Sequence, residues 1–197
     1  MKTIEVVGQI RTGLGKSESN NLRKEGKVPC VVYGAGETAH FSTEPLAVRD
    51  LIYTDEFRKA NIQFGGKTVE CIVKDVQYHP VSDRIIHIDF QAIVPGKTVK
   101  VNLPLKLQGV SEGQKIGGTL VQKMRKLQVF ASPESLTEYI IVDIAALELG
   151  KSMRVRDIKL PAGMEAITNG SIPVVTIDIP RALRSAQTKA ANETKKK

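Results

Sequence analysis

The sequence predicts a mainly β protein built from two small β-rich domains with a few short helices. Three observations predict it. Short runs rich in β-branched residues recur between Gly and Pro punctuation, helical periodicity is confined to brief stretches, and Val94-Pro95-Gly96 breaks the pattern near mid-chain. At 197 residues the chain exceeds the usual size of a single domain. We therefore read residues 1–94 as one domain, 95–180 as a second, and 181–197 as a basic disordered tail, because the tail lacks the large apolar groups needed to offset its ordering entropy.

Thr3 to Ile10 alternates as a first strand, and Arg11-Thr12-Gly13-Leu14-Gly15-Lys16 reads as a basic loop. A short helix follows, capped by Ser17 or Ser19, anchored by Leu22 and ended at Gly26. Val28 to Tyr33 is a buried strand type, and Ala39-His40-Phe41-Ser42 reads as another. Thr43-Glu44-Pro45 carries the signals of a second helix start, with Leu46, Val48, Leu51 and Ile52 on its buried face. Gly65-Gly66 joins Ala60–Phe64 to Thr68–Tyr78 as a hairpin, since both glycines tolerate positive φ. Arg84 to Gln91 alternates with period two, so Ile86, Ile88 and Phe90 share one face and His87, Asp89 and Gln91 the other.

Beyond residue 96 the expected strands are Lys97–Gly109, Thr119–Ala131, Tyr139–Asp143 and Gly170–Pro180, with one helical turn at Ala145–Gly150.

The net charge of +8 is unevenly placed. Residues 1–94 carry 12 Lys+Arg against 12 Asp+Glu, whereas residues 95–197 carry 17 against 9. Any anionic partner of the first domain must therefore be met by local clustering and not by bulk charge. No apolar run is long enough for a membrane span, and Met1-Lys2-Thr3-Ile4-Glu5 lacks the apolar core of a signal peptide, which predicts a cytoplasmic protein. Cys30 and Cys71 lie inside apolar stretches and suit reduced core residues, and the Cys and His spacings fit no structural metal.

Several motifs mimic catalytic sites. Gly13-Leu14-Gly15-Lys16-Ser17 ends like a phosphate-binding loop, but Ile10 stands where the first glycine belongs. Gly34-Ala35-Gly36 imitates a dinucleotide fingerprint, yet a strand follows where a helix should open. His87 and Asp89 share a strand face without a nucleophile elbow, which favours binding over catalysis.

Three blocks taken together carry a resemblance. Arg11-x4-Lys16-x2-Ser19-x2-Leu22-Arg23-Lys24-Glu25-Gly26-Lys27-Val28-Pro29, running into Val32-Tyr33-Gly34, resembles the amino end of the 5S-rRNA-binding ribosomal protein L-twenty-five family. Asp75-Val76-Gln77-Tyr78-His79-Pro80 with Arg84 to Phe90 resembles its second signature. Ser111-Glu112-Gly113 to Gly117-Gly118, Asp143 to Gly150 and Leu160-Pro161-Ala162-Gly163 are similar to the extra domain of its long form, the general stress protein CTC.

The resemblance implies an amino-terminal β-barrel with a few short helices that binds the loop E region of 5S rRNA, and a carboxy-terminal β-rich domain on the ribosome surface. Carried over residue by residue, it implies RNA contacts at Arg11, Lys16, Ser19, Arg23, Tyr33, His87 and Asp89, with His79 and Gln77 beside them. Further partners would be neighbouring large-subunit proteins and rRNA, with no cofactor, metal, membrane or small-molecule substrate. Asn20-Asn21 departs from the family pattern, in which paired arginines often stand there, and this should weaken the salt-dependent part of binding. A ribosome-associated stress-response interaction module is the alternative reading.

Overall fold

The computed structural model describes residues 1–36 and 38–180, so the tail expected at 181–197 lies outside the described residues. The chain forms two compact units. One is Met1–Val101 with Ala131–Glu138, and the other, among the described residues, is Asn102–Phe130 with 139–180.

The amino-terminal unit holds β1 (Thr3–Val7), β2 (Gln9–Ile10), α1 (Lys16–Lys24), β3 (Val28–Tyr33), β4 (Ala39–Thr43), α2 (Arg49–Ile52), β5 (Lys59–Phe64), β6 (Lys67–Tyr78) and β7 (Ile85–Ala92). Its sheet runs in the order β1-β5-β6-β7-β3-β4-β2. The two outermost positions belong to β1 and β2, which are consecutive in the chain and separated by Gly8 alone. One continuous segment therefore pairs with β5 by its first half and β4 by its second, and the sheet closes on itself as the expected barrel.

That closure corrects the single strand expected over Thr3–Ile10. The break falls at Gly8 because a Cβ there would stand 2.5 Å from Cδ2 of Phe41. Gly8 donates its N–H to Gln63 O at 2.8 Å, and Arg11 N–H bonds His40 O at 3.0 Å. The Thr43 hydroxyl donates to Val7 O at 3.0 Å. Phe41 is the centre of the barrel core, stacked on Phe64 at 5.8 Å and tilted against Phe90 at 5.8 Å, with Val6, Cys30, Ile62, Cys71 and Ile88 buried around it.

Two helix expectations are corrected in the same unit. The cap of α1 is Gly15, whose φ of 135° is open to glycine, while Ser17 and Ser19 lie inside the helix. Thr43 ends β4, paired with Val28, instead of capping a helix, and its hydroxyl donates to Val7 O. The helix is only α2, with Val48 and Leu51 buried and Leu46 left 75% exposed. Gly65 and Gly66 form the expected hairpin turn with φ of 54° and 77°, and Phe64 pairs Lys67.

The β6–β7 ladder carries a register shift between Val73 and Asp75. Lys74 is the extra residue. The bulge lets Val73 and Val76 both pack on the core while Asp75 and Gln77 stay exposed.

The second unit is built on β8 (Val99–Gln108) from Asn102 on, α3 (Glu112–Lys115), β9 (Thr119–Gln122), β10 (Lys126–Ala131) as far as Phe130, β11 (Ile140–Asp143), β12 (Ser152–Arg154), β13 (Met164–Ala166) and β14 (Pro173–Asp178). It has two sheets, β11-β8-β10-β13 and β12-β14-β9. The single strand expected over Thr119–Ala131 is split between them. Lys123 and Met124 N–H both bond Val174 O, at 2.9 and 3.2 Å, so the chain turns a corner and β10 leaves for the other sheet. Ala145–Gly150 forms successive turns and no helix. A capping box at Ser111 and Gln114 instead makes α3, which the apolar pattern does not announce.

Candidate nucleic-acid interface

Strands β6, β7 and β3 are neighbours, and their registers decide which expected site residues meet. Gln77 is opposite His87, and Asp75 is opposite Asp89. On the other side Val31 is opposite Asp89, and Tyr33 is opposite Gln91. The alternation that buries Ile88, Phe90 and Ala92 turns His87, Asp89 and Gln91 away from the core. Tyr33, Gln77, His87 and Asp89 therefore share one sheet face.

His87 Nδ1 lies 2.7 Å from Asp89 Oδ1, and their side chains are 26% and 30% exposed. The carboxylate fixes the imidazole ring and leaves Nε2 for a partner. Burial, followed by the charges of Asp89 and Asp75, holds the Tyr33 hydroxyl above its ordinary pKa, so it remains a neutral donor at physiological pH.

The second group comes from the loop and α1, which packs on β3. Arg11 Nη2 donates to Ser19 Oγ at 3.1 Å and to Gly13 O at 3.4 Å, pinning the loop to the helix that begins at Lys16. Arg11 Nε is buried without a partner. Arg23 Nε donates to Ile86 O at 3.2 Å and Nη1 to Asn20 Oδ1 at 3.2 Å. Arg23 thereby ties the helix to the strand that carries His87. Arg11 and Ser19 are thus bonded to each other at the start of α1, Lys16 is the helix's first residue, and Arg23 joins the helix to β7.

His79 is placed differently. Its Nδ1 accepts from Val81 N and Ser82 N, both at 3.3 Å, and its N–H bonds Arg84 O at 2.8 Å. It organises the turn between β6 and β7, where Asp83 has a φ of 52°.

Sequence reasoning missed three residues of this region. Gln91 continues the His87 and Asp89 alternation, a signal that was present, and its Oε1 is buried and unpartnered. Asn20 stands three residues before Arg23, a spacing that places them on one helix face. Asp75 could not be placed because the Lys74 bulge shifts the alternation before it.

The site offers binding groups and not a nucleophile. The Cys30 and Cys71 thiols are both pushed up to about 12, chiefly by burial, and stay protonated at neutral pH. Among the described residues there is no cluster of His, Cys, Asp or Glu able to hold a metal ion, and no helix long and apolar enough to cross a membrane.

Two ribosomal families match the chain in sequence. Residues 6–90 match the Ribosomal L25p family, and residues 98–181 match the C-terminal domain of ribosomal protein TL5. The class is thus a two-domain, mainly β, non-enzymatic protein of the ribosome. The relatives narrow it further. Large ribosomal subunit protein bL25 of Cytophaga hutchinsonii is 42% identical over 194 residues, covering 98% of this chain and 100% of the relative. That of Amoebophilus asiaticus is 39% identical over 197 residues and the whole of both chains, and that of Phocaeicola vulgatus is 37% identical over 193 residues, 94% and 97% of the two. The chain belongs to the bL25 family of large ribosomal subunit proteins, in its long two-domain form. Its role is structural and ribosome-associated.

Proposed function

We propose that the chain binds 5S rRNA at loop E through the outward face of β6, β7 and β3 and the basic residues of α1 and the loop before it. The observation that carries this reading is the His87–Asp89 pair at 2.7 Å, set beside Tyr33 and Gln77, with Arg23 of α1 bonded to Ile86 O of the same strand.

Double-stranded RNA presents sugar hydroxyls and base edges across a wide, shallow minor groove, with phosphates along both margins. Tyr33, Gln77 and His87 supply donors and stacking surfaces for the groove, and Asp89 accepts from a base amino group while it orients His87. Lys16 and Arg23 neutralise phosphates, and Arg11 holds the loop and Ser19 in position for them. His79 contributes through the turn that it organises. The formal neutrality of residues 1–94 fits this arrangement, because Lys16, Arg23 and Lys24 stand along α1 while Asp50, Asp55 and Glu56 lie at and after α2. The carboxy-terminal unit packs against neighbouring large-subunit proteins and rRNA.

Binding of the full chain to 5S rRNA, with and without loop E, tests the reading. The expected result is tight binding that disappears with loop E and falls about tenfold or more in His87→Ala, in keeping with the cost of about 1–3 kcal/mol for losing a base-stacking side chain. Equal affinity for both RNAs would overturn it.

A further inference from the structure

A second feature of the amino-terminal unit adjoins that interface and shares Arg23 and His79 with it. An open groove of about 690 Å³ lies where α1 ends, β7 begins and α2 follows β4. Its apolar lining includes Val28, Pro45, Ile85 and Ile86. Four cations line it, Arg23, Lys27, Arg49 and Arg84, against one acid, Asp83.

Two properties distinguish this groove from an ordinary surface cleft. The guanidinium groups of Arg49 and Arg84 make no hydrogen bond or ion pair among the described residues, although both are exposed at the same concavity. In addition, Leu46 and Tyr53 on its wall remain 75% and 62% exposed. Free arginine forks match phosphate oxygens in pairs, and an exposed aromatic ring beside them offers a base its face. Arg23 connects the groove with the sheet face, since it lines the one and is bonded through Ile86 O to the strand that carries the other. The surplus of positive charge rejects a basic partner and favours a polyanion.

We propose that this groove is a second RNA subsite, which takes an unstacked nucleotide and its flanking phosphates from the same RNA whose duplex lies on the sheet face. The proposal rests on the reading of that face as the 5S rRNA site. Arg49 and Arg84 clamp the phosphates, Tyr53 stacks on the base, and Pro45 and Leu46 close over its apolar edge.

The test uses the full chain and full-length 5S rRNA, titrated over a range of salt concentrations. The double variant Arg49→Ala/Arg84→Ala should reduce the slope of log affinity against log salt by about 1.5–2, as expected for two lost phosphate contacts. Tyr53→Leu, which keeps apolar bulk and removes the ring, should lower affinity about tenfold with the slope unchanged. Both should retain their dependence on loop E and their thermal stability, because all three residues are exposed. A double variant with the parent's slope and affinity would overturn the subsite while leaving the sheet-face reading intact. If that variant also washed off purified large subunits more easily, the groove would belong to an acidic protein segment instead. Failure of the parent chain to bind 5S rRNA would remove both readings together.

Discussion

Gly8→Ala perturbs the barrel at the point where it closes. Alanine adds one methyl group, and the structure shows what that methyl meets: Phe41 Cδ2 at 2.5 Å, with Cε2 and Cγ each at 3.2 Å. The first distance is shorter than real Cβ contacts allow, so something must move. Phe41 is fully buried and held between Phe64 and Phe90, each with its ring centroid 5.8 Å away, so the ring has no space to withdraw into. The strain must then pass into the backbone, where Gly8 N–H bonds Gln63 O and the Thr43 hydroxyl bonds Val7 O. Overpacking of this kind costs about 1–3 kcal/mol. For a unit of this size each kcal/mol lowers the melting temperature by roughly 4–8 °C. Scanning calorimetry of the full chain measures the loss, and amide exchange at Val6 and Gly8 assigns it to the amino-terminal unit. The companion variant Phe41→Leu carries its own cavity cost but vacates the space that the new methyl needs. The double variant should therefore lose less than the sum of the two singles, with a coupling of about 0.5–3 kcal/mol. A Gly8→Ala melting temperature within a degree of the parent, or full additivity in the double variant, would refute the reasoning.

Three other predictions concern other elements. Burial raises the Cys30 and Cys71 thiols from 9.0 to about 12, so their contribution to stability is complete below about pH 9 and is lost as pH rises toward 12, where the unfolded chain ionises and the fold resists. Urea midpoints between pH 8 and 11 should fall less steeply for Cys30→Ala/Cys71→Ala than for the parent, and identical pH dependence would count against buried thiols as the source. Ser111→Ala removes the hydroxyl that accepts from Gln114 N–H and donates to Gln114 Oε1, leaving the Ser111 N–H bond to Gln114 Oε1, and should cost about 0.5–2 kcal/mol in urea denaturation, with no effect on RNA affinity. Lys16→Ala should reduce the salt slope of 5S rRNA binding by about one, and an unchanged slope would remove Lys16 from the interface.

Local chemistry was legible in the sequence where it also governed the fold. The Gly65-Gly66 hairpin follows from two residues that accept positive φ, and the outward face of His87 and Asp89 follows from the period of two that holds from His87 to Ala92; before it, a register shift at Ile86 puts Ile85 against the core in place of the expected Ile86. What could not be read depends on contacts distant in sequence. The break at Gly8 is imposed by Phe41, more than thirty residues later. Thr43 has the chemistry of a helix cap, but pairing with Val28 holds it in β4, and the helix is only α2. The corner after β9 depends on Val174 accepting two N–H groups, and the outward turn of Asp75 depends on the Lys74 bulge. Within the site, residue types identified Arg11 and Ser19 but not that they bind each other, which makes Arg11 an organiser of the loop as well as a cation.

The central claim is that one face of the barrel reads the RNA. Titrating the isotopically labelled full chain with a loop E duplex and following backbone amide shifts by NMR tests it most directly. The account predicts that the shifts concentrate at Arg11 to Arg23, Tyr33, Gln77, His87 and Asp89 and spare β8, β10 and β11 of the second unit. Shifts centred on those second-unit strands, with Tyr33 and His87 unmoved, would contradict it.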